Sequence, residues 1–270
     1  MRGIASKTRQ SLNIGFRTNR YLNALYRLVN RALHRVRPRG IDDGDWGFAN
    51  VVRHETDLVE IMGRPRPQVL KKVTNRLDSL CQDFIRRSPF IMIGSHDAKG
   101  NVDVSPKGDP AGFVQILDDR TLAIPERPGN LRADTFRNML TLRNPKVGLI
   151  FIIPGKSETL RICGPARIVR DLDLREKMAL NGKTPELALV VRVEEAFFHC
   201  AKSMVRSRLW DPAEWRPVDG LPSLADAMVR HGKLKESVDV MASIIDRDEK
   251  ERLYQLVFII GGASQLLALC

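Results

Sequence analysis

Between residues 88 and 198, short apolar runs alternate with turn signals, and this texture restricts the fold more than any other feature of the chain. The runs at 90–94, 102–105, 113–117 and 121–125 are too short for helices. Turn-forming clusters such as Asp97-Ala98-Lys99-Gly100 and Asp118-Asp119 separate them. Longer apolar runs follow at 147–153, 159–169 and 187–198, the first closed by Pro154-Gly155. The spacing is not the regular strand–helix alternation of a doubly wound sheet. It predicts an α+β, mainly β architecture: a six-stranded small antiparallel barrel with helices at its rim, around 131–142 and 172–180.

Both flanks read as helical. From 42 to 87, Pro65 and Pro67 divide two pieces, and Val69, Leu70, Val73, Leu77, Leu80, Cys81 and Phe84 give the second an apolar face. After Trp215, the patterns at 225–241 and 246–260 predict two more helices. Three segments follow from this: a basic amphipathic extension at 1–41, a barrel domain with leading helices at 42–215, and a helical C-terminal extension at 216–270.

Charge separates the same segments. The net charge of +12 invites a nucleic-acid reading. However, ten of the 44 basic residues lie within 1–41, which holds no acid, and the other 34 meet 32 acidic residues in 42–270. The body is nearly neutral, so nucleic acid is not the expected partner. Within the tail, Leu22, Leu25, Val29, Ala32, Leu33 and Val36 recur at helical spacing. An Arg-rich helix of this kind is open to three readings: organelle targeting, contact with a membrane surface, or packing on the body or a partner.

Cys81, Cys163, Cys200 and Cys270 are widely spaced, which favours a reducing, cytoplasmic compartment over a disulfide framework. The run at 256–270 is too short and too interrupted for a membrane span. His34, His54, His96, His199 and His231 are dispersed and form no metal-binding pattern, so no metal is expected.

Three stretches carry unusual chemistry. At 101–110 a strand ends in Ser105-Pro106-Lys107-Gly108, a dense set of polar and turn-forming residues. At 124–135, Asn130 and Arg132 stand where a helix begins, and unpaired backbone N–H groups there favour an anion. Lys107, Asn130 and Arg132 could together hold a phosphate; alternatively, Asn130 is only a helix cap and the cations are solvated. At 199–210, Lys202 and Arg206 share a helical face near Trp210, either meeting something anionic or forming a solvated edge. Arg161 is a further cation within an apolar run.

The order and spacing of SPKGDPAGF (105–113), IPERPGNLRADT (124–135), NPKVGLIFIIPG (144–155), TLRICGPARI (159–168) and FFHCAKSMVRSRLWDP (197–212) resemble the pyridoxamine 5′-phosphate oxidase-like FMN-binding split-barrel flavoproteins of unknown substrate. The resemblance spans roughly 45–215. It implies a split β-barrel homodimer with FMN at the interface, each FMN held by residues of both chains. Carried over by position, Ser105, Pro106, Lys107 and Gly108 would lie along the flavin, with Lys107 near the phosphate. Asn130 and Arg132 fall in the phosphate-binding segment. Lys202, Arg206 and Trp210 fall near the segment supplied by the partner chain. Arg161, Lys202 and Arg206 are candidates for stabilising charge on the reduced ring.

The sequence shows no Ser/His/Asp spacing, no GxSxG and no Walker loop, as expected where a flavin performs the electron transfer. The expected function is therefore an FMN-dependent oxidoreductase acting on a small molecule. The aromatic-rich substrate pattern of true pyridoxamine phosphate oxidases is missing, so vitamin B6 is not the expected substrate. The rivals are a flavin- or haem-binding barrel without turnover, with His199 as the haem candidate, and a nucleic-acid binder driven by the tail.

Overall fold

Side-chain alternation is clearest in the long strands of the sheet. Strand β1 (Phe90–His96) buries Ile91, Ile93 and Ser95 on one face and leaves Met92 and Gly94 half-buried on the other. The computed structural model describes residues 46–254, so the basic extension 1–41 and the apolar run 256–270 lie outside the described residues. The chain divides into two compact units, 1–64 and 65–270. The first contributes helix α1 (Glu55–Met62), which ends at Gly63 with φ 77°. The second carries the sheet.

Its other strands are β2 (Val102–Gly108), β3 (Gln115–Asp118), β4 (Thr121–Pro125), β5 (Lys146–Ile152), β6 (Thr159–Val169), β7 (Ala188–Arg192) and β8 (Glu195–His199). They form one sheet in the order β2-β1-β5-β6-β7-β4-β3, with β8 also on β6, and every pairing is antiparallel. This is the α+β, mainly β split barrel expected, built from eight strands rather than six. The run 187–198 divides into β7 and β8, and the expected runs at 113–117 and 121–125 pair as the hairpin β3–β4 in the same sheet.

The division of 187–198 has a local cause. Cys163 pairs with Glu195 and Ala166 with Val191, so three steps along β6 face four along its partner. The extra residue is a β-bulge, which bends the strand and sharpens its twist. Gly164 sits opposite that bulge, where β6 exchanges β8 for β7 as its neighbour.

The core lies between the inner sheet face and two helices. Ile91, Ile93, Leu149, Phe151, Leu160, Ile162 and Ala196 meet Leu77, Phe84 and Ile85, and also Phe136 and Met139. The last two belong to α4 (Asp134–Leu140), which packs against β1 and β2. The leading helix is not continuous as its apolar stripe predicts. It breaks into α2 (Pro67–Lys71) and α3 (Ser79–Arg87) because Thr74 bridges to Ala196 of β8 and Asp78 caps α3 by accepting from the Cys81 amide at 2.9 Å. Val69, Leu70 and Val73 consequently remain exposed.

Helix α5 (Leu172–Glu176) and helix α6 (Lys202–Ser207) follow at the rim. Helices α7 (Leu224–Gly232) and α8 (Val238–Glu251) form a hairpin with its own small core of Ala225, Met241 and Ile245. The break between them falls inside the predicted helix 225–241. Lys233 adopts φ 51° there, and Ser237 starts α8 by accepting from the Val240 amide.

The β1–β2 turn offers a test of how local polar bonds set register. The Asp97 carboxylate accepts from the Lys99 amide at 2.8 Å, the Asn101 amide at 2.9 Å and the Asn101 side chain at 2.8 Å. The Asn101 side-chain bond is the largest influence holding Asp97 below the ordinary aspartate value. A depressed carboxylate pKa contributes stability that is complete above the unfolded value and is lost as pH falls through the folded one. Asp97→Ala is expected to be less stable than the parent at neutral pH, with the gap beginning to close below about pH 4. Urea unfolding across pH checks this; a gap that stays constant into acid would refute it.

Candidate functional site

A groove of about 800 Å³ opens where β2, the segment 125–136 and the loop 182–187 converge. Volumes of roughly 300–1,000 Å³ suit small-molecule and cofactor sites. Because a strand alternates, Ser105 and Lys107 share the half-buried side of β2 with Asp103, while Pro106 and Gly108 take the other side. All four residues from Ser105 to Gly108 line the groove, as do Asn130 and Arg132. The structure thus brings together six of the residues singled out from the sequence.

The loop that carries Asn130 and Arg132 is held in an unusual conformation. Leu131 has φ 60° and Ala133 φ 52°, in the left-handed region where a non-glycine residue costs about 1–2 kcal/mol. Asn130 is not the helix cap. Its side-chain oxygen accepts from the Arg132 amide at 3.1 Å, and the cap position of α4 falls on Ala133, whose side chain makes no capping bond.

Each predicted cation in the groove already has an acidic neighbour. Lys107 pairs with Glu126 and lies 5.9 Å from the Phe136 ring centroid. Arg132 donates to Asp134 at 2.7 Å. An anionic ligand would compete with these exposed or half-exposed pairs, whose net strength is modest.

Arg127 was missed by the sequence reading and is the best-anchored cation of the site. Its Nε donates to Asp109 at 2.6 Å and its Nη2 to the Met178 carbonyl at 2.9 Å. The Asp109 side chain is only 1% exposed. With two of its nitrogens fixed, the guanidinium is pre-organised and still lines the groove. No local signal marked it, because its partner lies eighteen positions earlier.

Tyr254 also lines the groove and was likewise missed. Its hydroxyl donates to the other Asp109 oxygen at 2.9 Å, and its ring centroid is 5.8 Å from the Arg127 guanidinium. Burial, then the Asp109 carboxylate, pushes the phenol above its ordinary value, so it stays a donor. Lys183 of the 182–187 loop adds a fourth cation to the walls.

The remaining predicted residues lie elsewhere in their own chain. Arg161 faces Ile150 and Phe197 across the sheet, 5.6 Å from the Phe197 ring centroid. Lys202 and Arg206 are exposed on α6, and the Trp210 indole donates to the Lys156 carbonyl at 3.0 Å. His199 ends β8 against Phe197, outside the groove. Among the described residues, no cluster of His, Cys, Asp and Glu could hold a metal ion, and no helix is long and apolar enough to cross a membrane.

The family model for pyridoxamine 5′-phosphate oxidase matches residues 77–200. This span contains the whole sheet apart from its connections outward, and every groove residue except Tyr254. Residues 77–200 are thus similar to the pyridoxamine 5′-phosphate oxidase family, and their sheet is a split barrel of that kind.

Solved structures similar to this domain include a putative pyridoxamine 5′-phosphate oxidase from Lactobacillus delbrueckii. It is 24% identical, over 46% of this chain and 95% of that one, with a TM-score of 0.36. HupZ of Group A Streptococcus is 21% identical over 45% and 92%, with a TM-score of 0.37. HutZ, a haem storage protein from Vibrio cholerae, is 19% identical over 45% and 94%, with a TM-score of 0.30. No curated protein matches the chain.

Proposed function

We propose that the groove binds FMN and that the protein is a homodimeric FMN-dependent oxidoreductase acting on a small molecule. The observation that carries this reading is the convergence of Lys107, Arg127, Arg132 and Lys183 on one groove of the split-barrel domain. FMN presents a phosphate at one end and a flat ring at the other. The donor set fits: guanidinium and ammonium groups suit the phosphate, and Pro106, Pro125, Phe136 and Leu187 supply apolar wall. When bound, FMN supplies hydride acceptance and donation, so the protein's own residues need only bind, orient and shield it.

Support for the second subunit comes from the outer sheet face. Pro106, Met92, Ile150, Arg161 and Phe197 form one row across five strands, and Val104, Gly94, Gly148, Cys163 and Glu195 form the next. Val102 and Val104, on the edge strand, are 77% and 56% exposed. An apolar face that ends on an open strand edge is a typical association surface. Arg161 lies on that face. It is available, with Lys202, Arg206 and Trp210, to complete the site of a facing copy.

The haem alternative finds less support. Among the described residues no histidine lines the groove, and His199 lies outside it.

The test is the absorption spectrum of the purified protein, together with its Lys107→Ala, Arg132→Ala double variant. Charge-assisted bonds contribute about 1.5–3 kcal/mol each, so FMN affinity should fall about 100-fold or more. A folded double variant that retains stoichiometric FMN would sink the phosphate assignment. A protein that is fully flavin-loaded yet monomeric by light scattering would sink the two-chain site.

A further inference from the structure

The C-terminal hairpin touches the barrel in a peculiar way. Helices α7 and α8 pack on each other through Ala225, Met241 and Ile245, with Met228, Val229, Leu234 and Val238 around them. Their polar contacts are also internal: Ser223 and Asp226 form a capping box, and Arg230 pairs with Asp226. Among the described residues, the one hydrogen bond from 216–254 to the barrel is that of the Tyr254 hydroxyl to Asp109. Tyr254 lies beyond the matched span 77–200.

That hydrogen bond is well built. Asp109 is nearly excluded from water and takes Arg127 on one oxygen and Tyr254 on the other. Arg127 neutralises the carboxylate and also stands over the Tyr254 ring, a favourable cation–π distance. The ring is therefore fixed at both its hydroxyl and its face, and it forms part of the groove wall. A rigid aromatic wall beside an anchored guanidinium matches an anionic ligand that carries a flat ring.

We propose that the α7–α8 hairpin is a strap on the groove, latched through Tyr254 to Asp109, and that Tyr254 retains a ring-bearing anionic ligand bound there. The retention half rests on the cofactor reading above; the latch does not. Arg127 links the two, because one side chain holds the latch in place and faces the ligand. Releasing the latch takes the Tyr254 ring out of the groove wall while the barrel's own cations still line it.

The experiment uses the full chain and two variants, Tyr254→Phe and Tyr254→Ala. In the absence of ligand, hydrogen exchange within 109–112 and 252–254 should accelerate about tenfold in Tyr254→Phe, as expected for losing one bond to a charged acceptor. Exchange in β5 and β6 should be unchanged. Loaded with FMN, Tyr254→Ala should release it about tenfold faster in a stopped-flow chase, with the association rate little altered. If Tyr254→Ala does not fold, Tyr254→Leu replaces it as the folded variant that lacks the ring, with the same release expected.

A parent protein that binds no FMN, but whose Tyr254→Phe variant exchanges faster, would support the latch and defeat the cofactor reading. Unchanged exchange in Tyr254→Phe overturns the latch. Unchanged release from loaded Tyr254→Ala overturns the retaining role.

Discussion

Gly164→Ala is expected to destabilise the barrel by about 3 kcal/mol or more, at the upper end of the overpacking costs seen in well-packed interiors. A Cβ at this position would fall on the Arg192 carbonyl oxygen, 2.9 Å from the carbonyl carbon and 3.1 Å from the Glu194 amide nitrogen. All three atoms are backbone, so no side chain can swing aside. They also belong to the bulge where β6 changes neighbours. The Glu194 amide donates to the Cys163 carbonyl at 2.9 Å and the Val193 amide to the Arg120 carbonyl at 2.7 Å. Relieving the clash means giving up those bonds or the bend itself, and the bend is what carries the sheet from the β5–β6–β8 region into the β7–β4–β3 region. A urea unfolding curve checks the expectation. A variant whose unfolding free energy changes by no more than about 0.5 kcal/mol, the usual effect of a surface change, would show that the bulge is not sterically required.

The second large effect is expected at Arg127. Arg127→Ala removes the counter-ion of a carboxylate that is almost fully buried, and breaking a buried pair from one side costs about 3–5 kcal/mol. It also frees the Met178 carbonyl that Arg127 holds at 2.9 Å, loosening the loop that leads to 182–187. Arg127→Lys should recover little, since one ammonium cannot reach Asp109 and Met178 in the same fork geometry. Combining Arg127→Met with Asp109→Leu should be less damaging than Arg127→Ala alone, because no unpaired charge is left behind. Equilibrium unfolding of the singles and the double gives the coupling energy. A coupling near zero would show that the pair is incidental to the fold.

The two expectations differ in how far the sequence could have anticipated them. Gly164 stands in TLRICGPARI, and Gly followed by Pro inside a long strand pattern hints at a corner. What cannot be read locally is that the opposing chain places the Arg192 carbonyl there. Arg127 stands in the run IPERPGNLRADT, where nothing local sets it apart from the other charged residues. Its partner became visible only when β2 paired with β1 and brought Asp109 beside Pro89, whose carbonyl accepts from the Asp109 amide at 3.1 Å.

Helix boundaries show the same division. The stripe from Val69 to Phe84 is helical in period, yet Thr74 leaves it to pair with Ala196, a gain no helix pattern can register. The edge between α7 and α8 was misplaced because Lys233 takes a left-handed conformation without being glycine or asparagine.

By itself, the sequence determined the texture of the fold. Short apolar runs and tight turns predicted a small, mainly β antiparallel barrel, because side-chain alternation and turn chemistry are local properties, and the collinear motifs added the resemblance to the split-barrel family. For the same reason it placed Ser105 and Lys107 on one side of a strand. The tertiary structure decided which cations share a site. It gathered Lys107, Asn130 and Arg132 with Arg127, Lys183 and Tyr254, and left Arg161, Lys202, Arg206 and Trp210 outside the groove of their own chain. Convergence of this kind depends on strand register and on burial of charge against a partner as far as 145 positions away, as between Tyr254 and Asp109. Neither leaves a periodic trace in the chain.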